Sequence, residues 1–420
     1  VIENDGAVEL YHDNSKKLET TSSGVSVTGA ITGTADATIN GITIGKGANS
    51  VTGNTAIGLN SLNGAVTGVY NTAVGTDTLE ANTSGNNNAA FGTDSLKANT
   101  TGQKNTGIGA EALFKNQSGN GNVALGCDAM FENLSGSNNT AVGFFSFNKN
   151  TTGTQNVAIG GAAVENNTSG SKNTGVGYQA LAGNTTASDN VAMGWRANFT
   201  NQTGTKNTAI GTLSLFFNTA SNNTAVGYES LKENTTGSFN VAIGSEGLKV
   251  NTTGTDNVAI GGKTLDANVT GGANTAIGRS ALGANTTANY NTAVGHSALK
   301  VNTTGTENVA VGSFALDANT TANNNTAVGS QTLKSNTSGT QNNAMGKQAS
   351  FQNTTGRDNN SFGFQALYSN TTGSKNTALG DTALGSNTTA SNNTAVGYFA
   401  LVANTTGTNN VAVGMQSQKF

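Results

Sequence analysis

Proline is absent from this 420-residue chain, cysteine occurs once, and only 10% of residues are charged. The lone Cys127 excludes an intrachain disulfide framework. A net charge of −3 gives no general attraction to nucleic acid. No apolar run is long enough to span a bilayer, so no membrane insertion is expected. The two histidines, His12 and His296, are far apart, and no Ser/His/Asp set can be built from them. The glycine-rich turns lack a phosphate-loop lysine, and the calcium-binding nonapeptide G-G-x-G-x-D does not recur. These absences leave no catalytic residue, cofactor or metal to name, and the chain is not expected to be an enzyme. It opens on Val1 with no signal-peptide pattern, so its start is expected to have been trimmed.

What is present is a repeat. From Asn54 onward the chain reads N-[TV]-A-[VIL]-G-x-x-[AS]-L-x-x-N-T-[TS]-[GA]-x-x, a unit of 17 residues that recurs 22 times. Each coil is named here for its opening asparagine. Every step is 17 residues except Asn207 to Asn223, which is 16, because Thr-Ala-Ser stands after Asn218 where other units carry one residue more. A deletion is tolerated at a corner and not in a strand. A fixed period of this length signals a solenoid and outweighs the suggestion of disorder in a polar, Gly-rich composition. The density of Gly, Thr and Asn disfavours helix. The expected fold is therefore all-β: an elongated parallel β-solenoid of about 22 coils, forming a shaft over residues 54–420. Residues 1–53 would be a β-rich connector, with Asn40–Gly45 as a degenerate first coil.

Within the unit we expect two short strands, with a glycine turn between them and an Asn-Thr-Thr-Gly corner after them. The fifth position is glycine in all 22 coils, including Gly75, Gly92, Gly227 and Gly244, which requires φ > 0 or close backbone approach. Stacking at about 4.8 Å per rung sets like residues above like. The first-position asparagines (Asn71, Asn88, Asn105, Asn223, Asn240) and the twelfth-position ones (Asn234, Asn251) should then form amide ladders, since each amide both donates and accepts. This corner role also explains the Asn-Thr-Thr sequons without a glycan. The large apolar fourth and ninth positions are expected inside the coil or against a neighbouring chain. Two such side chains gain too little to order 17 residues, so burial between chains is expected as well.

The sixth, seventh, tenth and eleventh positions vary freely and are expected at the surface. Aromatics gather there: Phe144, Phe145, Tyr178, Trp195, Phe216, Phe217, Tyr228, Phe364, Tyr398 and Phe399. They are candidate surface contacts for saccharide or protein, or packing between chains. Cys127 and His296 occupy the variable sixth position. Asp94, Glu111 and Asp128 share the seventh position of adjacent coils and read as solvated charge, as does the Lys16-Lys17 pair, expected in a turn. Ala7–Tyr11 and Ser23–Thr28 alternate apolar and polar residues and read as half-buried strands.

The segment Gly6-Ala7-Val8-Glu9-Leu10-Tyr11-His12-Asp13-Asn14-Ser15-Lys16-Lys17-Leu18-Glu19-Thr20-Thr21 resembles one found in tail-fibre and other virion appendage proteins of marine phages, cyanophages especially, where similar arrays often follow. The motif N-T-A-V-G-x-x-A also resembles the head repeat of trimeric autotransporter adhesins, although that repeat is shorter. Together these resemblances imply a homotrimer. They imply a virion tail appendage, outside the cell, contacting other tail proteins and a host-surface glycan or protein. The alternatives are a bacterial trimeric surface adhesin, a self-assembling extracellular filament, or an ice-binding solenoid. The adhesin would need a secretion signal and membrane anchor, which these residues lack. Ice binding would need a flat threonine face, whereas Thr clusters here at the corner.

Overall fold

A computed structural model describes residues 8–28 and 35–418. Three antiparallel strands come first: β1 (Glu9–His12), β2 (Ser15–Thr21) and β3 (Gly24–Val27), in sheet order β1-β2-β3. The turns between them use Asp13-Asn14 and Ser22-Ser23. Lys16-Lys17 therefore lies in β2 and not in a turn, with the Lys16 ammonium paired to Glu19 at 3.1 Å and to Glu9. The expected strand beginning at Ala7 falls partly outside the described residues.

The hairpin β4 (Ala37–Ile39) and β5 (Ile42–Gly45) follows, and β5 pairs antiparallel with β6 (Thr55–Ile57). The stretch read as a degenerate first coil thus runs against the direction of the array and covers the edge of β6. From β6 to β27 (Val411–Val413) each coil contributes one three-residue strand, paired in parallel and in register with the next. The ladder is open: among the described residues β27 pairs with β26 (Thr394–Val396) alone. Twenty-two rungs at about 4.8 Å make a column roughly 100 Å long. The described residues contain no α-helix.

Among the described residues the second expected strand is absent. Positions six to eleven form a run of turns in which the seventh and ninth residues have left-handed φ, as at Asp77 (55°) and Leu79 (52°). This alternation sends successive amides to different neighbours. Asp77 N–H donates back to Leu59 O at 2.9 Å, whereas Leu79 N–H donates forward to Ser95 O at 3.1 Å. A pleated strand sends its amides sideways without positive φ; here a left-handed leucine in most coils is accepted because its side chain is buried.

Of the two places expected for the fourth position, inside the coil or against a neighbouring chain, the first is excluded. In a three-residue strand the middle side chain points one way and its neighbours the other. The third-position alanines point inward and are fully buried, with the ninth-position leucines opposite them. The large fourth-position residues point outward. Ile57, Phe91, Ile108, Leu125 and Ile243 lie on the outer face, about 40% exposed. They are not inside the coil because the interior is narrow: alanine and leucine already fill it, between two rows of buried asparagine.

The glycine column is required twice over. Gly244 has φ 133°, and a Cβ there would lie 2.4 Å from the carbonyl oxygen of Gly261 on the next rung. The short Asn207 coil loses its residue at the corner, and the columns on either side are preserved. Ile210 remains paired in register with Val226, and Ala220 O accepts from Asn207 and Asn218, the role Gly85 O plays for Asn71 and Asn82.

Candidate functional site

Two asparagine rows hold the corner together. At the first position the amide oxygen accepts the backbone N–H of the next anchor, as Asn71 Oδ1 does from Asn88 N at 3.0 Å, while Asn71 Nδ2 donates to Gly85 O at 2.9 Å. Asn105, Asn223 and Asn240 repeat this arrangement. At the twelfth position the amides bond to one another directly: Asn251 Nδ2 donates to Asn234 Oδ1 at 2.8 Å and to Gly254 O at 3.0 Å. That side-chain ladder runs from Asn82 to Asn184 and from Asn218 to Asn404. It skips Asn201, which bonds only within its own corner to Gly204, leaving Asn184 Oδ1 buried without a partner.

The second and fourth positions face outward together on one continuous parallel sheet. In all 22 coils neither position carries a charged residue: the second is Thr, Val, Ala or Asn, and the fourth is Val, Ile, Leu, Phe or Met. The result is an uncharged, largely apolar strip that follows the whole column.

Beside the strip, past the glycine column, stands the sixth-position row. Phe144, Tyr178, Trp195, Tyr228, Phe364 and Tyr398 are all exposed in it. Phe145 and Phe399, at the seventh position, are half-buried against Phe144 and Tyr398, with centroids 4.3 and 4.4 Å apart. Sequence reasoning missed a further pattern at the tenth position, where rings of adjacent coils stack: Phe114 on Phe131, Phe199 on Phe216 and Phe351 on Tyr368, at 4.9, 5.3 and 5.2 Å. Identical positions on successive rungs are its signal.

The charged groups form small surface networks. Lys97 Nζ binds Asp94 at 2.8 Å and Asp77 at 3.0 Å. Glu111, next in the seventh-position row, is raised above the usual carboxylate range by desolvation and by the charges of Asp128 and Asp94. Asp128 likewise holds the Cys127 thiol up, disfavouring a thiolate. Glu229 is the exception: Lys249 at 2.6 Å and Lys232 at 3.0 Å bring its carboxyl down to about 2. His12 lies 3.3 Å from Asp13 and is exposed, and His296 packs edge-on against Phe314. Among the described residues no three His, Cys, Asp or Glu side chains are grouped to hold a metal ion, and no helix is long and apolar enough to cross a membrane. The chain matches no protein-family model and no curated protein sequence.

Proposed function

We propose that the chain is the shaft of an extracellular fibre, a homotrimer that spans distance on a virion tail and carries a host-attachment surface. The observation that supports this reading is the charge-free outer strip of the parallel sheet. A strip about 100 Å long and three residues wide covers on the order of 700–1,000 Å². A single soluble chain rarely leaves so large an apolar patch wet. The same area is about what one partner contributes to a stable protein–protein interface. Three copies closing around an axis parallel to the column would each cover the strip with two neighbours, which also meets the need for burial beyond one narrow coil. The resemblance of the first residues to virion appendages favours a tail fibre over a cell-anchored adhesin. In that setting the shaft would join other tail proteins at one end and meet a host glycan or protein along its surface.

Native mass spectrometry together with electron microscopy tests the reading. The expected result is a species of three times the chain mass and a rod about 100 Å long, whose apparent melting temperature rises with protein concentration. A folded, concentration-independent single chain would overturn it.

A further inference from the structure

The aromatic residues of the sixth-position row are not spread evenly. Four fall within six consecutive coils, in the order Phe144, Gly161, Tyr178, Trp195, Thr212, Tyr228. The two rungs without a ring carry glycine and threonine, so a small residue separates Phe144 from Tyr178 and Trp195 from Tyr228. The Tyr178 ring lies over one of these gaps: a Cβ added to Gly161 would be 3.4 Å from its Cδ2. The Cδ2–Cε2 side of the ring rests against that gap, and Tyr178 is half exposed. At about 4.8 Å per rung the rings fall roughly 10, 5 and 10 Å apart along the column. Polar groups border them. Arg196 stacks its guanidinium on Trp195 at 4.9 Å and on Phe199 at 5.1 Å, and its Nε donates to Gln179 Oε1 at 2.8 Å.

The same coils carry faults in the core beneath. At the ninth position of the Trp195 coil Asn198 replaces leucine, fully buried, with neither amide atom hydrogen-bonded. Asn201, in that same coil, is the member missing from the amide ladder, and the next coil is the one shortened by a residue. Where a sequence breaks its own local rules, function is the usual counterweight.

We propose that Phe144, Tyr178, Trp195 and Tyr228 form a platform for a linear β-1,4-linked hexose chain lying along the column. Such a chain is a flat ribbon that advances by about one rung per sugar, so successive pyranose faces meet the rings in register. Aromatic faces suit the C–H-rich faces of pyranoses, and Arg196 and Gln179, next to Trp195 and Tyr178, offer polar groups to ring hydroxyls. A twisted α-linked chain cannot follow a straight row. The inference rests on the fibre reading and gives its attachment surface a ligand class.

Trp195 is the single tryptophan, so its fluorescence reports on this site alone. The full chain would be titrated with cellohexaose and chitohexaose, with maltohexaose as the α-linked control. The expected result is a saturable change in emission with a β-linked hexaose and none with maltohexaose. By calorimetry, Trp195→Ala and Tyr178→Ala should each weaken binding about tenfold, and Tyr178→Phe less than threefold. Tyr70→Ala, outside the row, should bind as the unaltered chain does. Native mass is measured for every variant. No binding of either β-linked hexaose, equal binding of maltohexaose, or full affinity in Trp195→Ala would overturn the platform and leave the fibre reading standing. So would loss of assembly in Trp195→Ala and Tyr178→Ala alike, which would make the row a contact between chains. A single-chain mass for the unaltered protein would overturn the fibre reading instead.

Discussion

Two coils bury a polar side chain at the ninth position, where most have leucine, and they treat it in opposite ways. In the Asn342 coil Ser350 bonds Ser361 Oγ at 2.9 Å, and Ser361 itself stands on the next rung at the third position, where most coils have alanine. The two replacements satisfy each other. In the Asn190 coil Asn198 meets an unaltered alanine and leucine core and keeps two unbonded polar atoms. A column of identical rungs tolerates a buried hydroxyl cheaply when a neighbouring rung changes with it. An uncompensated amide costs its full desolvation. Each rung touches only its neighbours, so both faults stay local.

The strongest way to break the comparison is to transplant the fault. Leu248→Asn, in a regular coil, should cost about 3–5 kcal/mol through lost burial plus an unpaired amide. It should show as fast native-state amide exchange across the Asn223 to Asn257 coils. Exchange matching the unaltered protein would mean that Asn198 is not a fault. Next comes the amide ladder. Asn251→Ala removes bonds to Asn234, Gly254 and Asn268 and should cost about 2–4 kcal/mol, whereas Asn201→Ala removes only bonds to Gly204 and should cost about half as much. Denaturant midpoints of the two variants check the order. The converse change, Asn198→Leu, should raise stability by about 2 kcal/mol, because leucine with the same left-handed φ already occupies Leu181 and Leu215. A lower melting point would refute it. Ser361→Ala should cost about 1–2 kcal/mol by stranding Ser350, and Ser350→Ala with Ser361→Ala should recover most of that; a double-mutant cycle reads the coupling.

The smallest effect is electrostatic and lies beside the aromatic row. Glu229 has a folded-state pKa of about 2 against an ordinary 4.5, so its pairing with Lys249 and Lys232 stabilises the fold above pH 4.5. That stabilisation is lost as pH falls from about 4.5 toward 2. Glu229→Gln should flatten the dependence of melting temperature on pH in that window, and an unchanged slope would remove Glu229 as its source.

Much of this architecture is legible in the residue order, for particular reasons. Gly75 and its counterparts recur because each has left-handed φ and, in every coil with another above it, a Cβ would strike the next rung. The corner deletion after Asn218 is visible because the columns on both sides resume in phase. Other features are hidden. Ala73 and Val74 are both apolar, and nothing in their order says which one faces inward; the larger was expected inside the coil or against a neighbouring chain, and it lies on the outer face. The turn run from Gly75 to Asn82 looks like a strand in composition, since leucine is not a residue that announces left-handed φ. The aromatic row was visible as a set of residues, but the Tyr178 ring lying over Gly161 and the missing link at Asn201 were not.

The sequence by itself determined the period, the parallel stacking and the two asparagine rows, because a repeat places like residues at like positions and an amide that both donates and accepts closes a ladder with its own copies. Only the tertiary structure decided which apolar row is core and which is surface. That choice depends on the parity of a three-residue strand and on an interior that takes one large side chain per coil, at the ninth position, facing a small one at the third, neither of which is carried by any single residue.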